Sequence, residues 1–299
     1  MDAKRPIAEA IKITQVLQAL PDDSRFPVDV KQVAMELSRI QHADPIVSIT
    51  PIDGDGFEGI LVRHPSGTKW KIGYSSKIQS EGRVRFTLAH EFGHYILHRA
   101  RQAQFQCSTR DMHEWDQLNI EGEADIFASF LLMPLDDFRN QVVSQSPSIE
   151  LIRHCSSRYG VSLMAAALKW TETTQKRAVV IASRDGFVLW ARSSPSAYES
   201  RVYLATRKAQ HPIAVPSNSI LSSATPERGP VVGQLSASFW FDREPSDSMV
   251  VEHALALTGD YPYTLGLLIL PDSPPRWNQE EDELLPPVDQ VLKGGLARR

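Results

Sequence analysis

The feature that most constrains this chain is the pattern His-Glu-x-x-His at His90, Glu91 and His94, in a segment whose apolar residues recur at helical spacing. On a helix, residues four positions apart lie on one face, so His90 and His94 can bind one Zn²⁺. Glu91 then lies beside the water that such a metal activates. The pattern predicts a metal-binding helix, and Ser80 is expected to cap either this helix or the turn before it.

A second predicted helix supplies candidates for a third ligand. Glu121 and Asp125 are four residues apart and therefore share a helix face. Glu121 can bind the metal while Asp125 accepts the free ring N–H of a ligand histidine. Glu123 points elsewhere on this helix and is kept as the weaker alternative to Glu121. Two histidines, one carboxylate and an open fourth position are typical of a catalytic zinc site, because four protein ligands would close a structural one.

The residues around both motifs resemble those of the ImmA/IrrE family of bacterial regulatory zinc metalloproteases. The matching segments are 85–94, 97–98, 121–128 and 131–134, together with an entry helix at 27–34 that Asp29 would cap. Asp125 stands where many members carry Asn. The resemblance covers about residues 1–170. It implies a protein substrate that is a DNA-binding repressor of the helix-turn-helix type.

The predicted fold class is α+β, in three parts and a tail. A zincin-like metallopeptidase domain with a small sheet is expected over 1–140, a helix-turn-helix-like segment over 141–174 and a sheet-containing domain over 175–272. Residues 273–299 are predicted to form a flexible tail. In IrrE-like members the part corresponding to the third region resembles a GAF sensor domain, which implies a small-molecule ligand, although no motif here carries that over residue by residue.

The predicted elements follow the periodicity and the turn signals. They are helices at about 6–20, 30–40 and 148–170 (the last interrupted at 158–162), a polar loop at about 101–118, a hairpin at 178–193, and strands at 46–50, 58–63, 69–74, 234–240, 249–258 and 265–270. The 69–74 strand is predicted to be the edge of the first sheet. An edge strand can bind an extended peptide by strand addition.

Peptide hydrolysis at such a site needs a donor for the oxyanion besides the metal. Tyr74, Tyr95 and His98 are the candidates, and the sequence does not choose among them. Zn²⁺ is the expected ion and Mn²⁺ the alternative.

The charge and the cysteine content narrow the function classes. A net charge of −4 argues against a general nucleic-acid binder. The two helices predicted within 148–170, called the helical pair below, nevertheless carry three candidate phosphate contacts, Arg153, Arg158 and Lys169. Two cysteines form no disulfide framework, and no apolar run approaches the roughly 18 residues that would span a bilayer. A cytoplasmic location is therefore predicted.

Three functions compete at this point. The first is a site-specific endopeptidase whose cut inactivates a transcriptional repressor in a stress or mobile-element response. The second is a metal-binding regulator that acts by binding a partner without cleaving it, and the third is direct DNA binding through the helical pair. The ligand set together with Glu91 favours the first, because a binding protein has no use for a positioned base.

Overall fold

The computed structural model describes residues 5–107, 115–206, 211–259 and 261–276, so most of the predicted tail lies outside the described residues. The architecture is mixed α+β, as predicted. The described chain divides into two compact units, the first made of 5–138 and 156–162 and the second of 139–155 and 163–276. The domain boundaries predicted from the sequence stay predictions beside this division.

Regular elements follow one another from Pro6 to Ile269. The helices are α1 (Pro6–Leu17), α2 (Asp22–Arg25), α3 (Val30–Gln41), α4 (Glu81–His98), α5 (Trp115–Leu132), α6 (Leu135–Val142), α7 (Ile149–Tyr159), α8 (Leu163–Thr173) and α9 (Pro195–Glu199). The strands are β1 (Ile46–Ile52), β2 (Gly59–Arg63), β3 (Trp70–Ser75), β4 (Gln104–Cys107), β5 (Ala178–Arg184), β6 (Phe187–Ser193), β7 (Val231–Ser236), β8 (Met249–Leu257) and β9 (Tyr263–Ile269). Among the helices of the described part, none is both long and apolar enough to cross a membrane.

Both predicted N-caps in the first unit are confirmed. The Asp29 carboxylate accepts a hydrogen bond from the backbone N–H of Gln32 at 3.0 Å, and the Ser80 hydroxyl accepts one from that of Arg83 at 3.4 Å. Each cap satisfies one of the backbone donors that the first turn of a helix leaves free. The start of α4, and with it the position of the His-Glu-x-x-His residues on the helix, is therefore set by local sequence.

The first sheet has the strand order β1-β3-β2-β4, with β1 parallel to β3 and the other pairs antiparallel. The prediction that residues 69–74 form the edge is wrong, because β3 lies between β1 and β2. The segment predicted as a polar loop contains β4, a four-residue strand that pairs with the free side of β2. Its short polar sequence carries little strand signal, and the pairing with β2 satisfies its backbone instead.

Helix α4 is buried between this sheet and α5. Phe92 of α4 meets Phe127 of α5 edge to face, with 5.7 Å between ring centroids. Gly93 lies at the closest approach, since a Cβ there would be 3.2 Å from Ala124 Cα and 3.1 Å from Phe127 Cδ1. The absence of a side chain at Gly93 lets the two helices come close enough for acidic groups on α5 to reach the imidazoles of α4.

A partly buried ion pair joins α6 to the end of α7 within the first unit. The Asp137 carboxylate accepts hydrogen bonds from Arg158 Nε at 2.7 Å and from the Tyr159 hydroxyl at 2.6 Å. The guanidinium also lies over the Phe26 ring, 4.5 Å from its centroid. Burial raises the pKa of Asp137, but the hydrogen bonds from Arg158 and Tyr159 outweigh it, and the net pKa is below its ordinary value of 3.8.

We expect Asp137→Asn to lower the free energy of unfolding by about 2 kcal/mol, because the partly buried Arg158 would lose its buried carboxylate partner and keep only the exposed Asp22. Since the pKa of Asp137 is lowered in the folded protein, the stabilisation is complete above the ordinary value and is lost as the pH falls through the lowered one. Urea unfolding at pH 7 and at decreasing pH measures both effects. Asp22→Asn is the control, since Asp22 pairs with the same Arg158 from an exposed position and should matter little. Equal losses in the two variants would contradict the assignment.

The second unit is built on a five-stranded antiparallel sheet with the order β6-β5-β9-β8-β7. The predicted hairpin over 178–193 is confirmed, and its turn residues Asp185 and Gly186 have φ of +53° and +80°. The strand predicted over 234–240 is confirmed in its first three residues only: β7 runs from Val231 to Ser236, and Ala237–Phe239 form a 3₁₀ turn. The turn allows Trp240 Nε1 to donate to the buried carboxylate of Glu252 at 2.6 Å, a long-range contact that strand periodicity does not reveal.

Candidate metal centre

Three side chains from α4 and α5 converge on one point. His90 Nε2 and His94 Nε2 are 3.0 Å apart, Glu121 Oε2 is 3.1 Å from His90 Nε2, and Glu121 Oε1 is 3.3 Å from His94 Nε2. Zn–N bonds of about 2.0–2.1 Å at tetrahedral angles would hold ligand atoms about 3.3 Å apart. The donor set and its spacing therefore fit a zinc ion, and within the described residues this is the one cluster of acidic and imidazole groups close enough to hold a metal.

The protonation states suit a cation. Burial lowers the pKa of His94 to about 4, so its imidazole is neutral at pH 7. Burial alone would raise the pKa of Glu121, but the hydrogen bonds with His90 and His94 outweigh it, and the pKa lies well below its ordinary value. An ionised carboxylate thus faces a neutral imidazole, as metal binding requires.

Asp125 contacts the back of the first histidine. Its Oδ1 lies 2.8 Å from His90 Nδ1, the ring nitrogen that faces away from the three-residue cluster. This is the contact expected from the four-residue spacing of Glu121 and Asp125. A carboxylate in that place orients a ligand imidazole and favours the tautomer whose Nε2 is free to bind metal.

The second histidine has a different neighbour, His98, one helical turn further along α4. His94 Nδ1 lies 3.1 Å from His98 Nδ1, and His98 Nε2 lies 2.8 Å from Glu123 Oε2. Phe105 of β4 stacks on His94 with 4.7 Å between ring centroids and 16° between planes. Glu123, which was weighed as a metal ligand, therefore points to His98 instead.

Of the three candidate oxyanion donors, two are occupied elsewhere. Tyr95 is fully buried and its hydroxyl donates to the backbone oxygen of Asp44 at 3.1 Å, while burial raises its pKa to about 12. His98 is held between His94 and Glu123. Tyr74 is half-buried and accepts a hydrogen bond from Lys31 Nζ at 3.1 Å. It lines a cavity of about 580 Å³ beside the starts of α3 and α4, and it stays a candidate.

Gly59 is a site residue that sequence reasoning missed. It lies on β2 directly against Glu91, which is fully buried. A Cβ at Gly59 would overlap Glu91 Oε1 and lie 2.7 Å from Thr87 Cγ2. The available signal was an isolated glycine within a predicted strand, which often marks a close backbone approach.

For the predicted role of Glu91 as the base in peptide hydrolysis, we expect Gly59→Ala to slow cleavage by about 100-fold, because either β2 or the Glu91 carboxylate must move and small misplacements of a reacting group have effects of that size. The measurement is the cleavage rate at equal metal content. Gly73→Ala is the matched control on β3, since its added Cβ meets mainly the side chain of Ile52, which is 39% exposed and can move. Equal activity in Gly59→Ala and wild type would show that the contact does not position Glu91.

Two of the three candidate DNA contacts are buried or paired with carboxylates. Lys169 is 1% exposed, and burial lowers the pKa of its amine to about 8. Arg158 is engaged by Asp137 and Asp22, whereas Arg153 is exposed. Burial and pairing of two of the three cations count against phosphate binding, and a DNA-binding role stays an untested prediction.

The sequence and the fold were each compared with those of known proteins. Residues 47–171 match the family model Peptidase_M78, described as the IrrE N-terminal-like domain. A solved structure of a Mycobacterium tuberculosis transcriptional regulator is similar in fold, with a TM-score of 0.54 and 12% sequence identity over 89% of this chain and 76% of that chain. At this identity the likeness shows the fold alone. No curated protein matches the chain.

Proposed function

We propose that the chain is a zinc-dependent endopeptidase, from the premise that residues 47–171 match the Peptidase_M78 family model of the IrrE N-terminal-like domain, in agreement with the predicted ImmA/IrrE resemblance. Its substrate would be a DNA-binding transcriptional repressor, and cleavage would relieve repression in a stress or mobile-element response. The observation that carries the proposal is the convergence of His90, His94 and Glu121 on one point, with Glu91 next to His90 on the same helix.

In this proposal His90, His94 and Glu121 hold the metal, with Zn²⁺ expected and Mn²⁺ as the alternative. When bound, zinc would lower the pKa of a water from about 15.7 to about 7 and polarise the scissile carbonyl. The neutral imidazole of His94 and the ionised Glu121 are already in the states that bind a cation. Asp125 keeps His90 oriented through its Nδ1.

Glu91 serves as the general base and then as the acid. It accepts a proton from the attacking water and delivers it to the leaving amine, so both transfers use one carboxylate. Its position is maintained by burial against β2, where Gly59 presents backbone without a side chain. Burial keeps bulk water away from the carboxylate, which strengthens its electrostatic effect on the reacting groups.

The substrate would bind in extended form along β4. This strand ends the first sheet, and among the described residues no other strand pairs with its outer side. Phe105 of β4 stacks on His94, so a peptide added there would run past the metal ligands. We therefore propose β4, instead of the strand predicted at 69–74, as the strand-addition site.

The test compares the N-termini of all proteins in native host cells that express either wild type or Glu91→Gln, at rest and under stress. We expect a new N-terminus within a DNA-binding repressor in wild-type cells alone. Glu36→Gln, on the exposed face of α3, is the matched control and should behave as wild type. The same termini in wild-type and Glu91→Gln cells under all conditions would overturn the endopeptidase.

A second candidate is a metal-binding regulator that acts by binding protein or DNA without cleavage. It is favoured by the fold likeness to a protein described as a transcriptional regulator, which extends over 89% of this chain. The helix-turn-helix-like and GAF-like predictions, with a small-molecule ligand in the second unit, belong to this alternative as well. A Glu91→Gln chain that still regulates its target genes in cells would favour it over the first.

A further inference from the structure

The two proposed metal histidines are supported in different ways. His90 meets the Asp125 carboxylate directly through Nδ1, at 2.8 Å. His94 meets a second imidazole, because its Nδ1 lies 3.1 Å from Nδ1 of His98. His98 in turn places Nε2 at 2.8 Å from Glu123 Oε2. A carboxylate therefore stands behind each histidine, directly in one case and through His98 in the other.

Hydrogen-bond logic allows one arrangement of protons in this chain of contacts. A histidine that gives its Nε2 lone pair to a metal carries its proton on Nδ1. His94 must then donate from Nδ1, and His98 must accept at its own Nδ1. The proton of neutral His98 is left on Nε2, from which it donates to Glu123. Any other neutral tautomer of His98 would set two N–H groups against each other at 3.1 Å.

We propose that His98 and Glu123 are positioning residues that orient His94 and set its tautomer for metal binding, without touching the metal. His98 is fully buried, and Phe105 lies against both imidazoles, 4.7 Å from His94 and 6.1 Å from His98 between ring centroids. Neither imidazole can turn freely in that place. The proposal rests on the metal-binding part of the proposed function and deepens it.

The helical spacing explains why this support comes from α4 itself. His90, His94 and His98 follow one another at intervals of four residues, so His98 stacks one turn beyond His94 on the same face. Glu123 lies between Glu121 and Asp125 in sequence and points to the C-terminal end of this row. Glu121, Glu123 and Asp125 of α5 thus each meet a histidine of α4, and two of them would do so without binding the metal.

Metal affinity of the full chain, measured by competition between Zn²⁺ and a chromophoric chelator, tests the proposal. We expect His98→Phe and Glu123→Leu each to bind Zn²⁺ about 10–100-fold more weakly than wild type, the range seen when a group behind a ligand is removed. His98→Asn should recover part of the loss, because its Oδ1 can accept from His94 Nδ1. Glu123→Gln should bind more tightly than Glu123→Leu, because an amide oxygen still accepts from His98.

A second readout addresses tautomers independently of affinity. In the zinc-loaded wild type, ¹⁵N spectra of the histidine rings should show His98 protonated on Nε2 and His94 on Nδ1. An Nδ1–H tautomer at His98 would overturn the proposal, as would wild-type affinity in folded His98→Phe and Glu123→Leu. If His98→Phe does not fold, Glu123→Leu and His98→Asn decide. A wild-type chain that binds no Zn²⁺ would overturn the metal centre itself, which distinguishes that failure from failure of the positioning pair.

Discussion

A Glu91→Gln variant is expected to cleave its substrate about 10²–10⁴-fold more slowly than wild type while it binds zinc with unchanged affinity. The amide has nearly the same shape as the carboxylate but cannot accept the proton of the attacking water. His90, His94 and Glu121, which form the cluster that fits a metal, are left in place. Single-turnover cleavage of the substrate, with metal content measured on the same samples, separates the loss of proton transfer from loss of the ion.

Glu36→Gln makes the same chemical change on an exposed face of α3 and should leave both quantities at their wild-type values. Cleavage by Glu91→Gln at the wild-type rate would remove Glu91 from the reaction. Loss of zinc from this variant would give the residue a place in metal binding instead of proton transfer. Each outcome therefore assigns the carboxylate a different role.

The second large effect is expected at the metal. His90→Ala should weaken Zn²⁺ binding by about 10²–10³-fold, since each ligand of a four-ligand site contributes roughly a quarter of about 10–16 kcal/mol. Binding to the folded state alone stabilises it by about 2.7 kcal/mol at a ligand concentration of 100 Kd. Zinc at that concentration should therefore raise the thermal midpoint of the wild type and leave that of His90→Ala almost unchanged.

His64→Ala is the control for the number of histidines, because His64 is exposed on the loop after β2. It should respond to zinc as the wild type does. An equal zinc-induced shift in His90→Ala and wild type would mean that the ion binds elsewhere, and the convergence of His90, His94 and Glu121 would then have another explanation. Isothermal titration of both chains checks the same point without heating.

Helix caps and shared helix faces could be predicted directly from the sequence, because each involves residues of a single helix. Asp29 and Ser80 cap α3 and α4 as predicted, because a cap is a contact between residues three apart. The shared faces of His90 with His94 and of Glu121 with Asp125 follow from the period of the α-helix alone. Local rules of this kind predicted which side chains could meet in a metal centre before any tertiary contact was known.

Contacts between elements could not be predicted in this way. The central place of β3 and the strand β4 depend on pairing partners far away in sequence, and a short polar segment gives no sign of its partner. The burial of Lys169 likewise depends on what packs around α8. From the sequence alone, a lysine on a helix is predicted to be exposed, because charged side chains are rarely fully buried. Its burial becomes known only from the elements that pack around it.

The sequence by itself determined the motif, its helix, the helix caps and the pair of acidic positions opposite it, because these depend on periods and contacts within a few residues. Only the tertiary structure decided that Gly59 lies against Glu91, that Gly93 admits α5, and that Glu123 supports His94 through His98. Those relations join residues between 4 and 34 positions apart through packing, and packing is set by the whole set of side chains that fill a space. Local periodicity predicts which side chains can face one another, and the packed core decides which of them do.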